Sequence, residues 1–325
     1  MTMKDYGLTD ALAREASQYP ELFIGRVTAV LGSICRVATK AAEVRAEVSG
    51  KLRFETVSAS QFPAVGDFVM LDKNNDSGGN VIIHRVLKRK SVFLRKFAGK
   101  STDSQVVAAN IDTVFVCMAL DRDYNISRLE RYLAIAWDSG ALPVVVLTKA
   151  DLTEDAPSHI AEAEAAAIGA DVLLTSGLLE DGADVLRPYL RPGKTTAFIG
   201  SSGVGKSTLI NRLMGDDRIK TGDVRSDGKG RHTTTRRELM LLPGGGMLID
   251  TPGMREIGIS TADFGHSFAD IEELAAQCRF ADCAHESEPG CAVRTAINDG
   301  TITQERLDSY KKLKREASYL SLIHI

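Results

Sequence analysis

The stretch Thr195-Thr-Ala-Phe-Ile199, Gly200-Ser201-Ser202-Gly203-Val204-Gly205-Lys206-Ser207-Thr208, Leu209-Ile-Asn-Arg-Leu-Met214 decides the fold. A short apolar run reads as a buried strand, and the residues after Lys206 read as a helix. Between them Gly200 to Ser207 matches G-x-x-x-x-G-K-[ST], in the strand–loop–helix context that the motif requires. Glycines let successive backbone N–H groups wrap phosphate oxygens at a helix N-terminus, where the dipole also favours an anion. Lys206 is placed to reach the β- and γ-phosphates and Ser207 to ligate Mg²⁺. The loop binds a nucleotide phosphate chain, and by itself does not separate GTPase, ATPase and kinase.

Working outward, the chain from Asn110 alternates strands and helices. TVFVCMA is a buried strand. A helix follows with Asn125 as its N-cap, with Ile126, Leu129, Leu133 and Trp137 on one face and Gly140 at its end. LPVVVLT, an Ala/Glu-rich helix after Pro157, DVLLT and TTAFIG complete a doubly wound parallel sheet, the α/β P-loop domain. The strand LPVVVLT ends in Thr148-Lys149-Ala150-Asp151, similar to the N-K-x-D element that reads guanine, with Thr in place of Asn. An Asp here accepts from guanine N1–H and N2–H₂, which adenine lacks, so the wrong base leaves a carboxylate unpaired. An N-cap is the ordinary alternative for Asp151. Thr175-Ser176-Gly177, after DVLLT, is placed like the loop behind the guanine ring. Replacing the Asn amide by Thr148 is expected to loosen this loop and lower affinity.

Downstream, RRELMLL, the turn Pro243 to Gly246 and MLID form a hairpin, and Asp250-Thr-Pro-Gly253 fits D-x-x-G, with Asp250 on Mg²⁺ and the Gly253 N–H on the γ-phosphate. The segment Gly230 to Thr235 falls at the first switch, where Thr234 is chosen as the Mg²⁺ ligand. Met254 stands where many GTPases carry a water-orienting Gln. His232 is the nearest substitute, an exposed loop histidine being the alternative. The base reader precedes the phosphate loop, so the motif order is circularly permuted, and the second switch leads into the C-terminal segment.

The 325 residues carry 44% hydrophobic and 26% charged side chains and a net charge of −3, ordinary for a globular protein and no global attraction to nucleic acid. From His84 to Lys100 there are seven Lys/Arg residues and no acid; a solvated strand and loop or an RNA-facing patch would each explain them. No stretch resembles a secretion signal or a membrane span. Residues 1–20 read as a short helix or a loose N-terminal arm. Five short β-type runs over 21–98 fit a closed β-barrel, most simply an OB-fold. The GTPase domain is assigned to 105–260. Residues 261–319 turn helical and carry Cys278-x₄-Cys283-x-His285-x₅-Cys291, a Cys₃His set for one structural zinc. Three unrelated thiols would be the alternative. Cys35 and Cys117 lie in apolar runs. Five cysteines, three of them clustered, suit a reducing compartment, and the protein is expected to be cytoplasmic. Leu320 to Ile325 break the charged helical pattern and read as a non-native tail.

The barrel, the order TKAD–GSSGVGKS–GRHTTT–DTPGMRE and the cysteine spacing together resemble the ribosome-small-subunit-dependent GTPase A family, from about Glu21 to Arg315. The resemblance implies an OB-fold, a permuted GTPase domain and a zinc module. It implies a GTPase that binds the small (30S) ribosomal subunit and 16S rRNA late in assembly and hydrolyses GTP to GDP faster there. A monomer without membrane contact is expected. An ATP-dependent enzyme would leave Asp151 without a purpose; a nucleotide-gated RNA-binding scaffold with little turnover would account for Met254.

Overall fold

The computed structural model describes residues 2–75, 79–96, 104–179, 181–215, 237–250 and 268–322. After a short helix α1 (Asp10–Ala16), the β-type runs form β1 (Phe23–Leu31), β2 (Ile34–Ala38) and β3 (Glu43–Val48), then, past helix α2 (Gly50–Glu55), β4 (Phe68–Leu71) and β5 (Val81–Val86). They pair in the order β1-β2-β3-β5-β4, and β4 closes back on β1. The β3–β5 pair is parallel and the others antiparallel, the order and senses of an OB barrel. Alternate side chains fill the interior: Val27, Cys35, Val37, Val44, Ala46, Val69, Leu71, Val81 and Ile83 form one cluster. β3 stops at Val48, and Gly50-Lys-Leu begin α2. Ser49 accepts the Leu52 N–H at 3.0 Å and caps the helix, and that local bond outcompetes further pairing.

A ribbon of β6 (Val92–Lys96) and β7 (Ser104–Ala109) leads to the second layer system. There β8 (Thr113–Ala119) is buried along its whole length and α3 (Ile126–Asp138) is capped by Asn125, whose Oδ1 accepts the Arg128 N–H at 2.8 Å. Next come β9 (Leu142–Thr148), α4 (Ala156–Ala166), β10 (Asp171–Leu174), β11 (Thr195–Ile199), α5 (Lys206–Met214), and the hairpin β12 (Glu238–Leu241) and β13 (Met247–Asp250). The sheet runs β10-β9-β8-β11-β13-β12, parallel except for β12. Strand parity sorts the two faces. Val114, Val116, Met118, Val145, Leu147, Ala197 and Ile199 point to one core with α3, whereas Phe115, Cys117, Val144, Val146 and Phe198 point to another with Leu209, Ile210 and Leu213 of α5. Each fully buried side chain of this kind is worth about 1.5–3 kcal/mol. Burial pushes the thiols of Cys35 and Cys117 up to about 11 and about 12, so both are inert core residues.

The C-terminal helices α6 (Ala269–Ala275), α7 (Ala292–Asn298) and α8 (Gln304–Leu322) share the α3-side core through Phe268, Ile271, Val293, Leu307 and Tyr310. Arg306 fastens them to the sheet domain. It meets Glu130 of α3 at 2.9 Å and Asp270 of α6 at 2.6 Å, and lies over the Phe268 ring.

Part of the basic run from His84 finds partners within the fold. Arg89 binds the fully buried Asp67 at 2.7 Å, Lys90 binds Asp112 at 2.7 Å, and Arg85 lies over the Tyr19 ring. The Lys88 N–H donates to Glu15 at 3.1 Å. Arg89 is thus spent inside the fold, while Arg85, Lys88 and Lys90 stay exposed, where a solvated face or an RNA-facing patch would have them. The side chains of Arg95, Lys96 and Lys100 lie outside the described residues. Of the two readings of residues 1–20 the short helix holds: α1 carries Leu12, which with Met3 is buried against Phe68, Met70 and Leu87.

Candidate functional site

Gly200, Gly203 and Gly205 all have positive φ, and a Cβ at Gly200 would stand 2.5 Å from the Cys117 carbonyl oxygen. The loop therefore turns tightly over the end of β8, a path that L side chains at those positions would strain. Gly205 leads into α5, so Lys206, Ser207 and Thr208 form its first turn. The Lys206 ammonium folds back onto its own loop, donating to Gly200 O at 2.8 Å and Ser201 O at 2.6 Å. Asp250 closes β13, next to β11 in the sheet. Burial raises its carboxyl above the usual range, and the Lys206 charge works in the opposite sense. A partly desolvated carboxylate beside a phosphate loop is a fitting donor for a divalent cation.

The base-reading segment lies against this loop. Thr148 ends β9, is 2% exposed, and its hydroxyl donates to the Val204 carbonyl at 2.6 Å. Thr148 lacks the Asn amide, but its hydroxyl braces the phosphate loop. Lys149 follows with φ 57°, and its ammonium meets Asp121 at 2.7 Å. Ala150 donates its N–H to Thr175 O at 3.2 Å and starts a single turn, Ala150–Leu152, that presents Asp151. The Ser176 hydroxyl donates to the Asp151 carboxylate and fixes its orientation. Beyond it, a Cβ on Gly177 would stand 3.0 Å from Thr208 of α5. The structure thus brings Thr148, Lys149, Ala150, Asp151 and Ser176 together with Gly200 to Thr208 and Asp250. His232, Thr234, Gly253 and Met254 lie outside the described residues, as does the whole first-switch segment Gly230 to Thr235. Asp121 was missed by sequence reasoning. Its signal was positional, at the C-terminal end of the neighbouring strand. Thr148→Val is expected to lower nucleotide affinity about five- to thirtyfold, the equivalent of about 1–2 kcal/mol for a buried carbonyl left unpaired. Titration with a fluorescent guanine nucleotide measures it; unchanged affinity would show that the brace is idle.

The Cys₃His set also assembles. The ligand atoms of Cys278, Cys283, His285 and Cys291 all lie within 4.8 Å of one another, and the group can hold a metal ion. His285 adopts a left-handed backbone (φ 56°), which turns its ring toward the thiols. Cys291 caps α7, its sulfur accepting the Arg294 N–H at 3.4 Å. Burial alone would raise the Cys278 thiol, but N–H groups of Val293 and Ala292 and the neighbouring thiols outweigh it and hold it below its ordinary value. Burial, with Lys311 and Lys314 nearby, depresses the His285 pKa and keeps the imidazole neutral, as a ligand must be. Sequence reasoning missed Glu288. Its carboxylate gathers the N–H groups of Ala284, Glu286 and Ser287 at 2.8–3.0 Å, which holds the ligand loop shut and lowers its pKa to about 2.

Fold and site together define a circularly permuted P-loop GTPase: strand β9, which ends in the base-reading segment, precedes the phosphate-loop strand β11 in the chain, and only β8 lies between them in the sheet. The family model described as RsgA GTPase matches residues 86–260. A relative from Lactiplantibacillus plantarum, named small ribosomal subunit biogenesis GTPase RsgA 2, is 49% identical over 98% of this chain and 90% of its own length. The crystal structure of YjeQ from Thermotoga maritima superposes with a TM-score of 0.67 at 27% identity, over 91% of this chain and 98% of that one. YloQ, described as a circularly permuted GTPase, gives 0.65 at 25% identity, over 91% and 95%. The chain belongs to the RsgA GTPase family and is a GTP hydrolase. No helix among the described residues is long and apolar enough to cross a membrane.

Proposed function

We propose that this GTPase acts in late maturation of the small (30S) ribosomal subunit, binding the subunit and its 16S rRNA as a cytoplasmic monomer and hydrolysing GTP faster when docked. The observation that supports it most is the bond from Thr148 to Val204 O, which makes guanine recognition and phosphate binding one rigid unit beside Asp151. The relatives' names supply the substrate particle.

In this scheme Asp151, oriented by Ser176, accepts the two guanine N–H groups, and Lys206 leaves its loop carbonyls for the β- and γ-phosphates. Ser207, Asp250 and Thr234 would hold Mg²⁺, which neutralises phosphate charge when bound. Gly253 donates its N–H to the γ-phosphate, and His232 orients the attacking water in place of the Gln that Met254 replaces. The metal of the cysteine cluster is zinc. Tetrahedral Zn–S and Zn–N bonds of about 2.3 and 2.0–2.1 Å demand S···S and S···N edges of roughly 3.8 and 3.6 Å. The observed edges are 3.9 Å for Cys278–Cys291, and 3.6 and 3.5 Å from His285 Nδ1 to the same sulfurs. Four protein donors close the shell, so the zinc is structural.

Single-turnover GTP hydrolysis with purified small subunits tests the proposal. Subunits are expected to raise the rate at least tenfold at low salt, and the stimulation should fall steeply as salt rises, because each phosphate contact releases counterions. Large subunits or bulk RNA at equal phosphate concentration should not replace them. An unchanged rate with small subunits, or equal stimulation by any polyanion, would sink the proposal.

A further inference from the structure

Arg26 is the largest fully buried side chain among the described residues, 1% exposed, and it belongs to neither the nucleotide site nor the metal cluster. It sits on β1 of the barrel but spends its donors on five separate parts of the chain. Nε donates to Gly66 O of the barrel at 3.2 Å, and Nη1 donates to Tyr6 O of the arm and approaches Met247 Sδ of β13 at 3.4 Å. Nη2 donates to Asn110 O of the connector at 3.2 Å and to Thr195 Oγ1 of β11 at 2.9 Å. The ring of Phe68 lies beneath it, 4.9 Å from the guanidinium carbon.

None of its hydrogen-bond acceptors is a carboxylate; Asp67 and Asp112 act only through their field, and burial lowers its pKa to about 10. A buried charge without a contact counter-ion is costly, and an apolar residue of similar volume often stabilises as well or better. What only the guanidinium supplies is a planar fork that fixes several oxygens at once. Those oxygens belong to the seam. Asn110 has φ 57°; its amide donates to Gly66 O at 3.0 Å and accepts the Lys90 N–H at 3.0 Å, stitching the barrel to the residues that open β8. The chains approach so closely that a Cβ on Gly66 would stand 2.1 Å from Ala109 O. Thr195 is the first residue of β11, whose other end is the phosphate loop, and β8 carries the Cys117 carbonyl against which Gly200 turns.

We infer that Arg26 is a positioning residue that couples the barrel to the phosphate loop, transmitting the barrel's contacts through Thr195 and β11 to Gly200–Ser207. Its use in stimulated turnover rests on the subunit-dependent function proposed above; the coupling itself does not. Coupling is reciprocal, so nucleotide at the phosphate loop must be felt in the barrel.

The test compares the full chain with Arg26→Met, which removes the fork and the buried charge while filling the space, and with Thr195→Val, which removes one acceptor. Amide hydrogen exchange is followed at Val27, Gly66 and Leu87 with and without a non-hydrolysable GTP analogue. In the parent the analogue should slow exchange at these barrel amides at least threefold. In Arg26→Met that slowing should vanish, while analogue affinity and unstimulated turnover stay within twofold; Thr195→Val should lie between. Where small subunits stimulate the parent, stimulation of Arg26→Met should fall at least tenfold with subunit binding retained in cosedimentation. Barrel protection that persists in both variants, or is lacking in the parent, overturns the inference. So does a Thr195→Val protein whose analogue affinity falls along with its protection, since that marks a purely structural contact. A parent that subunits fail to stimulate counts against the proposed function alone, because the exchange experiment contains no subunits.

Discussion

Asp151→Asn is expected to lose guanine-nucleotide affinity by at least a hundredfold and to gain affinity for xanthosine nucleotides. Guanine offers two donors to the carboxylate, and xanthine carries an oxygen at C2 where guanine carries an amine. Exchanging one carboxylate oxygen for an amide N–H therefore opposes donor to donor with guanine and matches donor to acceptor with xanthine. Sites built to pair buried polar groups reject the mismatched ligand by factors of about 10⁴–10⁵ when desolvation is complete. Asp151 is partly exposed, so the smaller figure is expected. Ser176 donates to the Asp151 carboxylate, and it can donate equally to the Asn carbonyl. That contact selects the rotamer in which the new NH₂ faces the base. Competition titrations with GTP, ATP and XTP measure the outcome. A variant that binds GTP like the parent would remove Asp151 from base recognition and return it to the role of a cap.

The second large effect concerns the cysteine cluster. The parent should carry one zinc per chain, and Cys283→Ser should release it and unfold the segment from about Phe268 onward while guanine-nucleotide binding survives. Apparent zinc binding free energies at comparable sites are about 10–16 kcal/mol, more than the stability of a typical small domain. The module's own apolar content is small. Its buried residues Phe268, Ile271, Val293, Leu307 and Tyr310 pack into the α3-side core rather than a core of their own. Losing the ion also frees the two remaining thiols and leaves Glu288 gathering N–H groups of a loop with nothing to enclose. Metal analysis and limited proteolysis check this. Glu288→Ala should retain the zinc but exchange it with a chelator several times faster, because the ligand loop loses its three N–H contacts. A metal-free Cys283→Ser protein with an intact, protease-resistant C-terminal module would overturn the structural role of zinc.

The chemistry of this protein was legible in its sequence because its motifs are local. A phosphate loop needs glycines and a Lys-Ser pair at fixed spacing on one strand–loop–helix, and Gly200 to Ser207 supply them within eight residues. A closed metal shell needs four soft or imidazole donors in a short turn, and Cys278 to Cys291 supply those too. Strand alternation likewise declared the barrel and the buried β8, and the order of motifs alone declared the permutation. Such signals survive in one dimension because the atoms that cooperate are neighbours in the chain.

The interactions that tertiary structure decided join residues far apart in sequence. That Thr148 braces the phosphate loop follows from Val204 lying 56 residues later in the chain yet in the loop after β11, only one strand removed from β9 in the sheet; no composition rule pairs a threonine with a particular distant carbonyl. Arg89 reads as a member of a basic surface run, but the fully buried Asp67 draws it inward. Arg306 finds Glu130 across 176 residues, and Arg26 finds Thr195 across 169. A charged side chain carries no mark in the sequence of whether its partner is water or a buried oxygen, because that choice depends on which segments the folded sheet brings within about 3 Å. The sequence by itself thus determined which chemical groups the protein possesses and in what local geometry. Tertiary packing decided which of them are bound to one another, since hydrogen bonds and ion pairs act over distances in space and are blind to distances along the chain.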